Sequence, residues 1–298
     1  MALFKKPFRL SSCFVFGGIL VVLGLVLQVL LGPVDWARAA FPVNIALLVI
    51  FLSLLYLAFS LRGRFSFCAW LGSPAAAVPS IAWAFLLTVV MGLTAQIPSR
   101  GWLGGMVTFH PFVLVYTWMS FVVGMVAFNH LGRIFRSWRE VSATLNHLGL
   151  LTVLLASTLG SADKRTLEMT LREGQAETVA VREDGMPVET GLTVFLNDFT
   201  METYPNGMPR RFASDVIVTT GSGKEVAAVI EVNKPLKVDG WKMYQYDYDS
   251  EAGPDSVTSV LQMVRAPWLP VVLAGIFMML SGALLMLATG FERKEVAS

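Results

Sequence analysis

Only three histidines, His110, His130 and His147, and two cysteines, Cys13 and Cys68, occur in the 298 residues of this chain. The cysteines form no Cys-x-x-Cys pair, no zinc-like Cys/His spacing and no Cys-x-x-Cys-His for covalent haem attachment. A thiol oxidoreductase of the usual motif type and a c-type cytochrome are thereby excluded. Charge is scarce too, at 15% of residues with a formal net charge of +2, which leaves no basic surface for nucleic acid. No carboxylate falls well inside a long apolar run, so the proton-relay signature of many transporters is missing. The glycine-rich stretches GWLGG (101–105) and GSGKE (221–225) lack the spacing and the following Ser/Thr of a phosphate loop. Acidic Asp247, Asp249, Glu251 and Asp255 lack the order of a calcium-binding EF-hand and read as a solvated loop.

What is abundant is apolar surface: 55% of residues are hydrophobic and mean hydropathy is +0.62. That balance belongs to an integral membrane protein. Apolar runs long enough to cross about 30 Å of hydrocarbon occur at Phe14–Leu31, Val43–Leu61, Val78–Ile97, Phe112–Asn129, Val141–Ala162 and Trp268–Gly290. The first is longer than a signal-peptide core and lacks a small-residue cleavage site, so it reads as a retained span. Lys5, Lys6 and Arg9, then Arg62 and Arg64, then Arg133, Arg136 and Arg139, then Arg293 and Lys294 fall on one side of the alternating spans. The other side's short loops carry only Arg38 and Arg100. The excess of positive charge predicts that both termini are cytoplasmic.

Residues 163–267, between the fifth and sixth spans, have the composition and size of one soluble domain. The topology places them outside the cytoplasm. Leu192, Val194 and Leu196 alternate, as do Val216 and Val218; a GSG turn and the Val226–Val232 run follow, then Tyr244, Tyr246 and Tyr248 alternate with Met243, Gln245 and Asp247. The expectation is a six-helix transmembrane bundle with an all-β extracytoplasmic sandwich or meander between the fifth and sixth helices. Its parts are a five-helix transmembrane region at 1–162, the β domain at 163–267, and the sixth helix with a short cytoplasmic tail at 268–298.

Each histidine has its own expected depth. His110 precedes Pro111 at the mouth of the fourth span and reads as a boundary residue. His130 and His147 share the tetrapeptide NHLG, but His130 lies beside Arg133 at the cytoplasmic boundary, where it implies little. His147 follows the start of the charge-free run at Val141 and would sit about 10 Å along a helix, inside hydrocarbon. If the helix instead began at Asn146, a good N-cap residue, His147 would be interfacial. An imidazole within the bilayer is either a metal or haem ligand or a hydrogen-bonding partner of a neighbouring helix. Ile134, Trp138, Val141 and Leu145 recur at helical spacing, which predicts an interfacial helix whose arginines meet lipid phosphates or hold the propionates of a porphyrin.

The segment RFASDVIVTTGSGKEVAAVIEVNKPLKVDGWKMYQYDYD, Arg211 to Asp249, resembles the ResB/CcsB family of cytochrome c biogenesis proteins. Ser214-Asp215-Val216, Val232-Asn233-Lys234-Pro235-Leu236, Gly240 and Met243-Tyr244-Gln245 carry the likeness; "LREGQ", "LNDFTMETYPNGMPRRF" and "RAPWLPVVLAG" support it. The resemblance implies a haem-handling subunit of the system II cytochrome c synthetase in the bacterial cytoplasmic membrane, not catalytic alone. It implies a CcsA-like partner with a tryptophan-rich loop, exported apocytochrome c as the protein served, and a transiently bound b-type haem. His147, opening the span before the extracytoplasmic domain, then stands where the family has an axial haem ligand, and Arg136 and Arg139 would face the propionates. The rivals are a non-haem membrane scaffold, with His147 bonding a neighbouring helix, and a transporter of another solute.

Overall fold

The computed structural model describes residues 8–97 and 101–289. Lys5, Lys6, Arg100, Arg293 and Lys294, on which part of the charge asymmetry rests, lie outside the described residues. Contacts divide the chain into two compact units, one formed by residues 1–162 with 268–298 and the other by residues 163–267.

The first unit contains α1 (Leu10–Leu31), α2 (Val43–Leu61), the short α3 (Ser66–Leu71), α4 (Pro74–Leu93), α5 (His110–Leu131), α6 (Trp138–Ser161) and α7 (Leu269–Thr289). All but α3 are long and apolar enough to cross a membrane. The chain is a multi-pass membrane protein. The third span lies four residues earlier than the run Val78–Ile97 predicts: Ser73 has an extended backbone and Pro74 opens the helix, its fixed φ and missing N–H suiting the first turn. Residues 94–97 are released from it, and Gln96 accepts from the Met106 amide and donates to the Leu103 carbonyl.

Small residues let α6 and α7 touch. A Cβ on Gly149 would come within 2.6 Å of the Gly275 carbonyl oxygen, and one on Gly275 within 2.8 Å of the Gly149 oxygen. Two turns away Ser142 donates to the Gly282 carbonyl at 2.8 Å. This is backbone-to-backbone packing of the kind membrane helices use where burial of apolar surface gives no net drive. At the other end of α6, buried Asn44 on α2 donates to the Leu159 carbonyl at 3.2 Å. A separate core joins Cys13, Trp70, Trp118, Val122 and Met125, with Trp70 Nε1 donating to Cys13 Sγ at 3.0 Å.

The segment expected to begin as an interfacial helix does not carry Ile134, Trp138, Val141 and Leu145 on one helix: Ile134 lies in a 3₁₀ turn and the other three in α6. A 3₁₀ turn at Ile134–Arg136 leads to Ser137, whose hydroxyl accepts from the Glu140 amide and caps α6. The alternative start at Asn146 is overturned as well, because Ser137 caps a continuous helix that already includes Asn146.

The second unit is one eight-stranded antiparallel sheet. Its strands are β1 (Arg165–Arg172), β2 (Ala176–Arg182), β3 (Pro187–Thr203), β4 (Pro209–Thr220), β5 (Glu225–Glu231), β6 (Leu236–Val238), β7 (Trp241–Tyr248) and β8 (Thr258–Arg265). The spatial order β5-β4-β3-β2-β1-β8-β7-β6 makes two meanders, β1 to β5 and β6 to β8, joined where β1 pairs with β8. The sheet curls over a core that includes Leu171, Leu192, Val194, Leu196, Val216, Ile230, Met243 and Met263. Alternation along β3 and β4 therefore reports the buried face, as period-two patterning requires. Along β7 the simple alternation fails. Trp241, Met243 and Gln245 point inward, a bulge shifts the register between Gln245 and Asp247, and Tyr248 packs back against the core beside Phe199 and Phe212. Asp239 (φ 47°) and Gly240 (φ 80°) make the two-residue β6–β7 hairpin, a turn that needs positive φ at both positions.

Candidate functional site

The sequence separates His130 and His147 by depth; folding brings them together. Antiparallel α5 and α6 are joined by residues 132–137, and the two imidazoles stack with centroids 5.3 Å apart and planes 20° from parallel. His147 stands nine residues beyond the first residue of α6, about 13 Å along the axis. His130 is the penultimate residue of α5.

Hydrogen bonding fixes how each ring is presented. His147 Nδ1 lies 2.8 Å from the carbonyl oxygen of Ala143, one turn back on the same helix. A carbonyl only accepts, so Nδ1 carries a proton and Nε2 is the nitrogen open to a ligand. Among the described residues no group bonds that Nε2, and the expected alternative of a hydrogen bond to a neighbouring helix is not found. His130 Nδ1 donates to Glu140 Oε2 at 2.7 Å. The other carboxylate oxygen, Oε1, faces Arg133 Nε at 3.5 Å. Glu140 occupies the third position after the Ser137 cap, where a glutamate could reach back to the cap's amide. Its carboxylate is drawn across to α5 instead, because a cation and an imidazole N–H there offer stronger, charge-assisted partners.

Sequence reasoning therefore undervalued His130 and missed Glu140. The repeat of NHLG on both sides of a short charged turn marks the two histidines, but it does not by itself bring a residue at the end of α5 beside one nine residues into α6. Of the arginines, Arg133 is the one tied into the cluster. Arg136 is exposed and lines an open cavity of about 380 Å³ with Phe135, Trp138 and Val141. Arg139 is exposed on the first turn of α6. Neither guanidinium forms an ion pair among the described residues. His110 is held at the start of α5 by buried Gln28, whose Oε1 accepts from the His110 amide at 3.1 Å and lies 3.0 Å from Nδ1. It has no contact with the histidine pair. No cluster of three metal-ligating side chains occurs among the described residues, and Asp249 of the acidic loop caps the amides of Glu251 and Ala252.

Residues 136–260, from the 3₁₀ turn through α6 to the start of β8, match the model of the ResB-like family. Over this segment the chain is similar to the ResB-like family, and the relatives it matches there are named for cytochrome c biogenesis. It is 32% identical over 108 residues to "Cytochrome c biogenesis protein CcsB" of Prochlorococcus marinus (strain NATL1A), covering 36% of this chain and 24% of that protein. Against "Cytochrome c biogenesis protein Ccs1" of Guillardia theta it is 28% identical over 123 residues, 41% of this chain and 28% of that one. The match thus spans about a quarter of the length of these relatives. The solved structure titled "Cytochrome c Heme Lyase CcmF" aligns with 83% of this chain and 45% of its own at 16% identity, with a TM-score of 0.37, too low to bear on the fold. The ResB-like segment includes Arg136, Arg139, Glu140 and His147, whereas His130 and Arg133 lie upstream of it.

Within that segment the residues that carry the likeness have structural work to do. Ser214 Oγ and Ser259 Oγ both donate to Gln245 Oε1, at 2.5 and 3.1 Å, and lie 2.7 Å from each other inside the sheet. Lys234 and Arg211 converge on Glu231, at 2.9 and 2.7 Å, where the chain passes from β5 to β6. The Arg211 guanidinium, then Lys234, hold the Glu231 carboxyl below the usual carboxylate range.

Proposed function

We propose that this protein is a haem-handling membrane subunit in the assembly of c-type cytochromes, with His147 as an axial ligand to the iron of its cargo. The observation that carries the reading is the presentation of His147: its Nδ1 is committed to the Ala143 carbonyl, which leaves Nε2 as the nitrogen that no described residue bonds. That is how a histidine ligand meets iron, and an outer hydrogen bond at Nδ1 is its usual companion. The residues present fit a porphyrin. Haem supplies an iron that must be reduced before the apocytochrome thiols add to its vinyl groups. Everything else is asked of the protein: Arg136 and Arg139, with guanidiniums free at the mouth of α6, meet the two propionates, and apolar faces of α5 and α6 shield the ring from water.

On this reading the chain sits in the bacterial cytoplasmic membrane with the α5–α6 turn on the inner side and the β domain on the outer. A CcsA-like partner supplies the second axial ligand and the tryptophan-rich loop, and the β domain lies where exported apocytochrome c arrives. The chain by itself is not the synthetase. The names of the relatives, both cytochrome c biogenesis proteins, support the process; the haem role rests on the imidazole.

The test is purification with the partner. The wild-type complex is expected to show a bis-imidazole absorption spectrum that is lost in His147→Ala and restored by added imidazole. Haem content unchanged in His147→Ala overturns the ligand role. Normal c-type cytochromes in a strain lacking this protein overturn the process.

A further inference from the structure

The His130–Glu140–Arg133 cluster has no part in the ligand role just described, yet it is built against the ligand. Glu140 and His147 stand on one face of α6, two helical turns apart. His130 reaches over from α5 into the space between: its Nδ1 bonds Glu140 at 2.7 Å, and its ring face covers that of His147 at 5.3 Å. Both Glu140 oxygens are occupied, one by His130 and one by Arg133, and the carboxylate and His130 keep only about a fifth to a quarter of their side-chain surface exposed.

A histidine has a soft second torsion, because rotation about an sp³–sp² bond is broad. The single bond from Nδ1 to Ala143 holds one corner of the His147 ring but leaves it able to rock about that contact. A flat neighbour, itself clamped by a charge-assisted hydrogen bond, removes that freedom. Direction matters for a metal ligand, since the lone pair lies in the ring plane and a few tens of degrees of rotation spoil its overlap with the iron.

We infer that His130, held by Glu140 and Arg133, is a positioning residue that fixes the plane of His147 and thereby the strength of the iron–imidazole bond. This rests on the ligand role proposed above. Hydrogen-bonded partners of metal-bound histidines lower affinity by about tenfold or more when removed, and a stacked ring that holds the same plane is expected to act in the same direction. His130 is reached from outside the ResB-like segment, so the device joins that segment to the rest of the bundle.

Two sets of measurements test it. In the haem-loaded complex with its partner, His130→Ala and Glu140→Ala are expected to weaken haem retention by about tenfold, shift the midpoint potential and broaden the low-spin electron paramagnetic resonance signal. Glu140→Gln, which keeps an acceptor for His130 Nδ1, is expected to retain most of the wild-type signature, whereas His130→Phe, a flat ring that Glu140 cannot hold, is expected to behave like Glu140→Ala. In the full-length haem-free protein, ¹⁵N-histidine solid-state spectra are expected to give one sharp Nδ1-protonated state for His147. In His130→Ala that resonance should broaden or show a second tautomer. An unchanged potential and unchanged resonance signal in His130→Ala, or a His147 ring equally ordered without His130, overturns the inference. If the wild-type complex binds no haem, the ligand role fails, while the ring order in the haem-free protein still decides whether His130 positions His147.

Discussion

Replacing Gln245 by Leu tests whether the family-bearing stretch of β7 acts as fold or as contact surface. Gln245 Oε1 receives the hydroxyls of Ser214 and Ser259, and its Nε2 donates to the Asp247 carbonyl at 2.9 Å across the bulge. Leucine keeps the approximate volume and removes all three bonds. The serines are 2.7 Å apart, so one hydroxyl can still donate to the other, but the second proton is left without an acceptor in a site where both serines are fully buried. An unsatisfied buried donor costs about 1–3 kcal/mol, and loss of the amide bond to Asp247 about 1 kcal/mol more. The expected loss is about 3 kcal/mol, which is on the order of a hundredfold in an opening equilibrium. Hydrogen exchange on the full-length protein in detergent reads it: amides of β4, β7 and β8 should lose that protection while helical amides keep theirs. The triple variant Gln245→Leu, Ser214→Ala, Ser259→Ala removes the stranded hydroxyls and should recover about half of the loss, because groups in one network do not add. A triple variant that is less protected than Gln245→Leu alone would refute the accounting.

Two further outcomes follow from other contacts. Gly149→Leu puts a side chain where a Cβ alone would lie 2.6 Å from the Gly275 carbonyl oxygen, so α6 and α7 must separate; backbone amides of α7 around Gly275 should then exchange at least several-fold faster, and an unchanged rate would show that the seam yields without opening. Glu231, whose carboxyl is depressed by Arg211 and Lys234, contributes stability that is present above the ordinary carboxylate range and is lost as pH falls through its own lower value. Exchange protection at the β4–β5 edge should therefore begin to fall below the ordinary glutamate value of about 4.3 in wild type and lose this component in Glu231→Gln; identical acid profiles for the two proteins would refute the assignment.

Much of this molecule is written locally. A run of apolar side chains reports a membrane-length helix without knowledge of its neighbours, and alternation along β3 and β4 reports a half-buried strand. The edges of elements are less legible, since Ser73 and Ser137 set the starts of α4 and α6 through backbone and capping geometry that hydropathy does not carry. The bulge in β7 likewise breaks a pattern that the tyrosines alone suggest, because pairing with β8 decides which residue is passed over.

For the candidate site the division is sharper. Sequence alone determined that a histidine adjoins a long apolar run in a chain with two other histidines and two cysteines, and hydropathy is enough for that because it is additive along the chain; the Ser137 cap then put His147 inside the helix. Tertiary structure alone decided that His130 faces His147, that Glu140 leaves its own cap to clamp His130, and that Arg133 is the arginine joined to the cluster. Those facts depend on where a six-residue turn returns the chain and on which of several competing partners offers a carboxylate the stronger bond, neither of which is a property of any one residue or its neighbours in sequence.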